Sequence, residues 1–141
     1  MQLRYHYVEF LTEHLADCCR VFEGDLQEML VLAVLGQVHV RALLDARPDG
    51  TLEPRTASTP LGINASRIAD ITGISRQSVR RKLEKLRARG WVEQIAAGVW
   101  TITLRDGTAA AREGTNGIGA LDQRSMARAV QFAHKISKTI A

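Results

Sequence analysis

The fold is decided by residues 64–104, which read NASRIADITGISRQSVRRKLEKLRARGWVEQIAAGVWTITL. Ile68 and Ala69 are the apolar residues of a short first helix. The turn Thr72-Gly73-Ile74-Ser75 follows, and its glycine can take the left-handed conformation that commonly ends a helix. Ser75 can cap a second helix, because its hydroxyl can accept a hydrogen bond from an early amide. The sequence therefore predicts two helices joined by a tight turn, the second over about residues 75–89.

The second helix is predicted to have an apolar back and a polar front. Val79, Leu83 and Leu86 repeat at i, i+4 and i+7 and form one buried stripe. A rotation of about 100° per residue gives the opposite face and the two charged flanks. The opposite face carries Gln77, Arg81 and Lys85, with Ser78 beside them. The flanks carry Arg80 and Arg87 on one side and Lys82 and Arg89 on the other.

A β-hairpin is predicted directly after this helix. Residues 91–95 and 99–104 are rich in β-branched and aromatic side chains, and Ala96-Ala97-Gly98 connects them. Alternation along 99–104 predicts one packed and one exposed face, and we assign both tryptophans, Trp91 and Trp100, to the core. The predicted fold class is therefore mainly α with a small β-hairpin wing (α+β), a winged helix-turn-helix with flanking dimerisation helices.

The second helix of such a pair is suited to the major groove of duplex DNA. Arginine can bond guanine, glutamine can pair with adenine, and serine can reach either base type. The residues predicted to contact bases are Arg76, Gln77, Ser78 and Arg81. Those predicted to contact phosphates are Ser66, Arg67, Ser75, Arg80, Lys82 and Lys85. The alternatives are a solvated basic face and a winged helix that docks an acidic protein without specific DNA binding.

Residues 66–79, 83–92 and 104–107 resemble the MarR family of bacterial transcriptional regulators. The resemblance implies an obligate homodimer that binds pseudo-palindromic, double-stranded operator DNA. It also implies release by an effector, either a small molecule or an oxidant. The wing departs from the family pattern, because its tip Ala96-Ala97-Gly98 carries no cation for the minor groove.

The flanking segments complete a single predicted domain over residues 1–141. Residues 8–45 are predicted to form two helices, 46–62 a proline-containing loop, 63–104 the winged helix, and 106–141 the C-terminal dimerisation helices. Asp25 and Glu28 resemble a capping box, and the apolar run 29–35 predicts a helix buried on most sides. Residues 108–113 are predicted to be helical. A final helix over 121–140 has an apolar stripe of Met126, Ala129, Val130, Ala133, Ile136 and Ile140.

Composition agrees with a globular protein and excludes several classes. The 141 residues are 45% hydrophobic and 24% charged, with a net charge of +4. No signal-peptide pattern or membrane-spanning run is recognised, so we expect a cytoplasmic, nucleoid-associated protein. No metal site, cofactor or catalytic group is predicted, and an enzyme is not expected. Cys18, one helical turn after His14, is retained as a candidate redox sensor; the alternative is a small core residue.

Overall fold

A computed structural model describes residues 1–46, 62–114 and 117–141. Within these ranges the chain divides into two compact units. One unit comprises residues 1–26 and 112–141, and the other comprises residues 27–111. The predicted loop over 46–62, with Arg47 and Arg55, lies almost entirely outside the described residues.

The first unit is a pair of antiparallel helices, α1 (Gln2–Val21) and α5 (Gly119–Ile140). Asp17, near the end of α1, receives hydrogen bonds from Arg124, near the start of α5. Further along the pair, Lys135 of α5 donates to Glu9, near the middle of α1, at 2.6 Å. Ion pairs near the C-terminal end and near the middle of α1 therefore connect the two helices, and the order of the paired residues along the chain shows that the helices are antiparallel.

The second unit contains α2 (Leu26–Ala46), which begins one residue before the unit boundary, α3 (Ala65–Thr72) and α4 (Arg76–Ala88). Val79, Leu83 and Leu86 of α4 are fully buried, which confirms the predicted stripe. Ile68 of α3 is also fully buried. The remaining core side chains of this unit lie on α2, on the turn and on the strands; the largest are Val31, Leu32, Leu35, Ile74, Trp91 and Trp100.

The turn between α3 and α4 has the predicted local structure. Gly73 adopts a left-handed conformation, φ 75°, and its amide bonds back to the Ala69 carbonyl. The Ser75 hydroxyl accepts from the amide of Ser78 at 3.2 Å and caps α4. Asn64, which was not predicted to be a cap, caps α3 by accepting a hydrogen bond from the Arg67 amide at 2.8 Å. Both helices therefore begin at a side-chain cap that satisfies an amide lacking a helical partner.

The wing is an antiparallel hairpin of β1 (Val92–Ala96) and β2 (Val99–Ile102). Its register shifts between Gln94 and Ala96, where a bulge precedes the turn. Ile63 bridges to Trp100, so the residues before α3 lie against the hairpin. These strands and the three helices of this unit confirm the α+β winged helix-turn-helix class.

Several sequence predictions about local structure were wrong. The segment 108–113 is not an α-helix: β3 (Leu104–Arg105) pairs with β4 (Thr108–Ala109), and a 3₁₀ turn follows over Ala110–Arg112. Asp106 and Gly107 both have positive φ, which is the geometry of a tight hairpin turn. The helical prediction failed because alanines have high helix propensity but this turn imposes strand pairing.

Burial along the strand 99–104 also differs from the predicted alternation. Trp100, Thr101 and Ile102 are all buried, whereas Leu104 is exposed. The strand ends at Ile102 and the chain bends into the second hairpin, so a period of two does not continue. The first helix is also longer than predicted, beginning at Gln2 rather than Val8.

Helix α2 is less completely buried than its apolar sequence predicted. Val31, Leu32, Val34 and Leu35 are buried, but Leu30 and Ala33 are exposed, as are Val40 and Leu44 further along. By length and composition alone, Leu26–Asp45 would be sufficient to cross a membrane, contrary to the sequence prediction. A helix that carries part of a soluble core satisfies the same criterion, so this observation does not identify a membrane protein.

Candidate nucleic-acid interface

The exposed face of α4 collects the residues predicted to contact bases. Arg76, Gln77 and Arg81 are exposed and Ser78 is half-buried, on the side of the helix away from its buried stripe. The helix begins here, so the positive end of its dipole lies at the same place. The N-terminal turn of α4 therefore presents hydrogen-bond donors within an electropositive surface.

Two side-chain hydrogen bonds restrain the arginines of this face. Arg76 Nη1 donates to Ser66 Oγ at 3.1 Å, and Arg81 Nη2 donates to Ser78 Oγ at 3.0 Å. Each guanidinium retains further N–H groups, because arginine has five donors. The serines thus orient the arginines without using up their donors.

The cations predicted for phosphate contact occupy different environments. Arg67 and Arg80 are exposed, and for neither does the described structure contain an ion pair. Lys82 is half-buried. Lys85 is held by a carboxylate, with its Nζ 2.8 Å from Glu28 Oε2. The structure therefore brings Arg67 and Arg80 to the surface as available charges and places Lys85 in an internal ion pair.

The C-terminal part of α4 directs its arginines to neighbouring groups. The Arg87 guanidinium lies 4.5 Å from the Trp100 ring centroid, and that of Arg89 lies 4.8 Å from the Trp91 ring centroid. Arg89 Nε is also 2.6 Å from Glu28 Oε1. These cations cover Trp91 and Trp100, which are buried as predicted. The positive charge that remains available to a ligand is therefore concentrated in the first half of α4.

The sequence did not predict the ion pairs of Glu28 with the cations near the end of α4. The sequence predicts only a capping-box role for Glu28; in the structure its fully buried carboxylate also contacts Lys85 and Arg89. A glutamate next to the apolar run 29–35 was an available signal, because a buried carboxylate needs cationic partners. Their location on α4 was not available from sequence spacing.

Residues 40–109 match the family model of the Crp-like helix-turn-helix domain. This chain contains a winged helix-turn-helix domain. The match covers 70 of the 141 residues, just under half, and includes α3, α4 and the wing. The matched family is a DNA-binding regulator domain and not an enzyme family, which supports a transcription regulator without distinguishing the MarR family. No curated protein and no solved structure matches the chain.

The thiol chemistry lies outside the winged helix, in the α1–α5 pair. Cys18 is 1% exposed, and its Sγ is 3.7 Å from His14 Nε2. Burial raises the pKa of the Cys18 thiol, and the adjacent Asp17 carboxylate raises it further. A redox-sensing thiol requires a low pKa and access to solvent, so these features favour a packing role. The redox role remains a prediction.

No cluster of three metal-binding side chains occurs within the described ranges 1–46, 62–114 and 117–141.

Proposed function

We propose that this protein is a homodimeric transcription regulator that binds specific sequences in duplex DNA. Helix α4 would enter the major groove, with Arg76, Gln77, Ser78 and Arg81 toward base edges. The observation that carries the proposal is that two hydrogen bonds, Arg76 to Ser66 and Arg81 to Ser78, orient the two guanidinium groups at the exposed N-terminal half of α4. Oriented guanidinium groups lose less conformational entropy when they bond a base.

Phosphate contacts would position the helix in the groove. Ser66 and Arg67, at the start of α3, and Arg80 and Lys82, on the two flanks of α4, are the proposed contacts. Ser75 caps α4 through its oxygen, and its hydroxyl hydrogen remains able to donate to a phosphate. The wing tip carries no cation, so we do not assign it a role in the minor groove. The protein would act in the cytoplasm on chromosomal DNA.

Measurement of binding to duplex DNA at several salt concentrations tests whether the protein binds DNA. The purified protein should bind random-sequence duplex with a steep salt dependence, since each neutralised phosphate contributes a slope of about 0.9. Selection from a random pool should then enrich a two-fold symmetric site. Absence of binding at low salt would contradict the proposal and favour a winged helix that docks an acidic protein.

The apolar face of the α1–α5 pair supports the homodimer. Met126, Val130 and Ile140 lie on one apolar stripe of α5, and each is at least 65% exposed. Helix α5 contacts α1 through a different side, which includes Arg124 and Phe132. The stripe is therefore left open within this unit, and a second copy of the same face would bury it.

Helix α1 contributes to the same open face. Leu3, Tyr7 and Leu11 are between 37 and 51% exposed. Tyr7 lies at the edge of the α1–α5 contact, with its ring centroid 6.4 Å from that of Phe132, and Leu11 lies one helical turn further along the same side of α1. This two-helix apolar surface is the proposed dimer interface, and its position in flanking helices is also what a MarR-like arrangement would have.

Sedimentation equilibrium tests the dimer. The wild-type protein should have twice the 15.6 kDa chain mass. Val130→Asp should weaken the dimer by at least about tenfold, because it buries an unpaired charge at an apolar interface. Gln131→Asp introduces the same group at an exposed position of α5 that is rotated by about 100° or more from Met126, Val130 and Ile140, and it should leave the dimer intact. A monomeric wild type, or equal effects of the two variants, would contradict this interface.

A further inference from the structure

Glu28 occupies an unusual position for a carboxylate in this domain. It lies in the first turn of α2, and its side chain is fully buried. One of its oxygens contacts Lys85 of α4 and the other contacts Arg89, which directly follows that helix. Lys85 and Arg89 are one helical turn apart, so a single carboxylate can bind both. The two cations are partly solvent-exposed, with 46% and 30% of their side chains accessible.

We propose that Glu28 acts as an internal competitor of DNA phosphate for Lys85 and Arg89. The carboxylate is an anion that occupies the same cations that a phosphate would bind. If Lys85 turned outward to a phosphate, Glu28 would lose a partner while remaining buried, and a buried charge that loses its partner is strongly unfavourable. Glu28 therefore holds these cations on the protein and lowers the affinity for DNA of any sequence.

The consequence is a higher ratio of specific to non-specific binding. Phosphate contacts strengthen binding to all sequences alike, whereas base contacts discriminate among them. When Lys85 and Arg89 are kept from the phosphates, binding depends more on the base contacts of Arg76, Gln77 and Arg81, which discriminate among DNA sequences. This inference rests on the proposed DNA-binding function, and it makes Glu28 a positioning residue with no contact to DNA of its own.

The test compares the salt dependence of binding to random-sequence duplex among variants. Glu28→Gln should tighten binding and steepen the slope of log K against log salt by about 0.9 to 1.8 per protomer, one or two additional phosphates. Asp45→Asn makes the same change of charge at the other, exposed end of α2 and should leave the slope unchanged. An equal slope for these two variants, with both folded, would overturn the inference.

Lys85 provides a second test, and its comparison in the wild-type background does not depend on the folding of Glu28→Gln. In the wild-type background Lys85→Met should leave the slope unchanged, whereas Arg80→Ala should lower it by about 0.9 per protomer. In the Glu28→Gln background, Lys85→Met should remove about 0.9 of the added slope. A loss for Lys85→Met alone as large as that for Arg80→Ala would show that Lys85 already binds phosphate, and would overturn the inference.

The same measurements distinguish a failure of the proposed DNA-binding function from a failure of the inference about Glu28. If the wild type does not bind duplex DNA and Arg80→Ala has no effect, the proposed function falls and this inference falls with it. If the wild type binds and Arg80→Ala lowers the slope, the variants of Glu28 and Lys85 decide the inference by themselves.

Discussion

Arg76, the first residue of α4, donates a hydrogen bond through Nη1 to the hydroxyl of Ser66, the second residue of α3, at 3.1 Å. The contact joins the two helices of the motif across the turn. It also orients the guanidinium on the face that we assign to DNA. The geometry of the first base-contacting residue thus depends on a side chain ten positions earlier in the chain.

A double-mutant cycle measures this dependence. Ser66→Ala and Arg76→Ala should each weaken binding to the selected site, and the two losses should not add. We expect the combined loss to be smaller than the sum by about 0.5–1.5 kcal/mol, the contribution of one hydrogen bond. Fluorescence anisotropy on the selected duplex gives the four affinities. Additive losses would show that Ser66 does not orient Arg76.

Arg81 and Arg80 are neighbours in sequence with different predicted roles. Arg81→Ala should cost about 1–3 kcal/mol at the selected site and relax its preference at one base pair. Arg80→Ala should weaken cognate and random duplex by the same factor, because phosphates carry no sequence information. Affinities on a set of single-base-pair variants of the site distinguish the two. Equal losses on cognate and random DNA for Arg81→Ala would refute its base-reading role.

The turn glycine should be intolerant of a side chain. Gly73 has φ 75°, so Gly73→Ala should destabilise the protein by about 1–2 kcal/mol through backbone strain alone. Nothing lies within 4 Å of an added Cβ there, so no clash contributes. Gly36→Ala within α2 also meets open space, but in ordinary helical backbone, and should stabilise by about 0.5–1 kcal/mol. Thermal unfolding of both variants should therefore shift in opposite directions, and shifts of the same sign would contradict the argument.

The α1–α5 pair should depend on pH through Asp17. Hydrogen bonds from Arg124, joined by Arg128 and opposed by burial, lower the pKa of Asp17 to about 2. The folded pKa lies below the ordinary value of 3.8, so the contribution to stability is complete above about pH 4 and is lost as pH falls toward 2. Asp17→Asn should cost about 2 kcal/mol at neutral pH.

Denaturant unfolding at several pH values checks this expectation. The difference between wild type and Asp17→Asn should shrink as the pH falls from 4 to about 2, the folded pKa of the carboxyl. Glu113→Gln, a neutralised surface carboxylate, serves as the reference for a general charge effect. A difference between wild type and Asp17→Asn that is independent of pH would exclude a linked titration of this carboxyl.

The two cysteines should differ in reactivity. Cys18 is buried with a raised pKa, whereas Cys19 is half-buried. Alkylation of the native protein followed by mass spectrometry should therefore label Cys19 first, because the thiolate is the reactive form. Faster labelling of Cys18, or its stoichiometric oxidation by peroxide at neutral pH, would support the redox sensor instead.

Local sequence patterns predicted most of the winged helix. Gly73, Ser75 and the stripe from Val79 to Leu86 act within one or two turns of the backbone, so their structural roles follow from the conformational preferences of single residues. The same locality explains why the exposed face of α4 was correctly placed. The segment 108–113 was misassigned because its strand pairing depends on the turn at Asp106 and Gly107, which outweighed the helix propensity of the alanines.

By itself, the sequence determined the order of helices and strands around the turn, the buried stripe of α4 and the concentration of cations on that helix. Only the tertiary structure decided which of those cations are available. It paired Lys85 and Arg89 with Glu28, more than fifty residues earlier, and left Arg80 exposed. The physical reason is that capping and periodicity act between near neighbours in the chain. A buried carboxylate, in contrast, takes whichever cations the packing of distant helices brings to it.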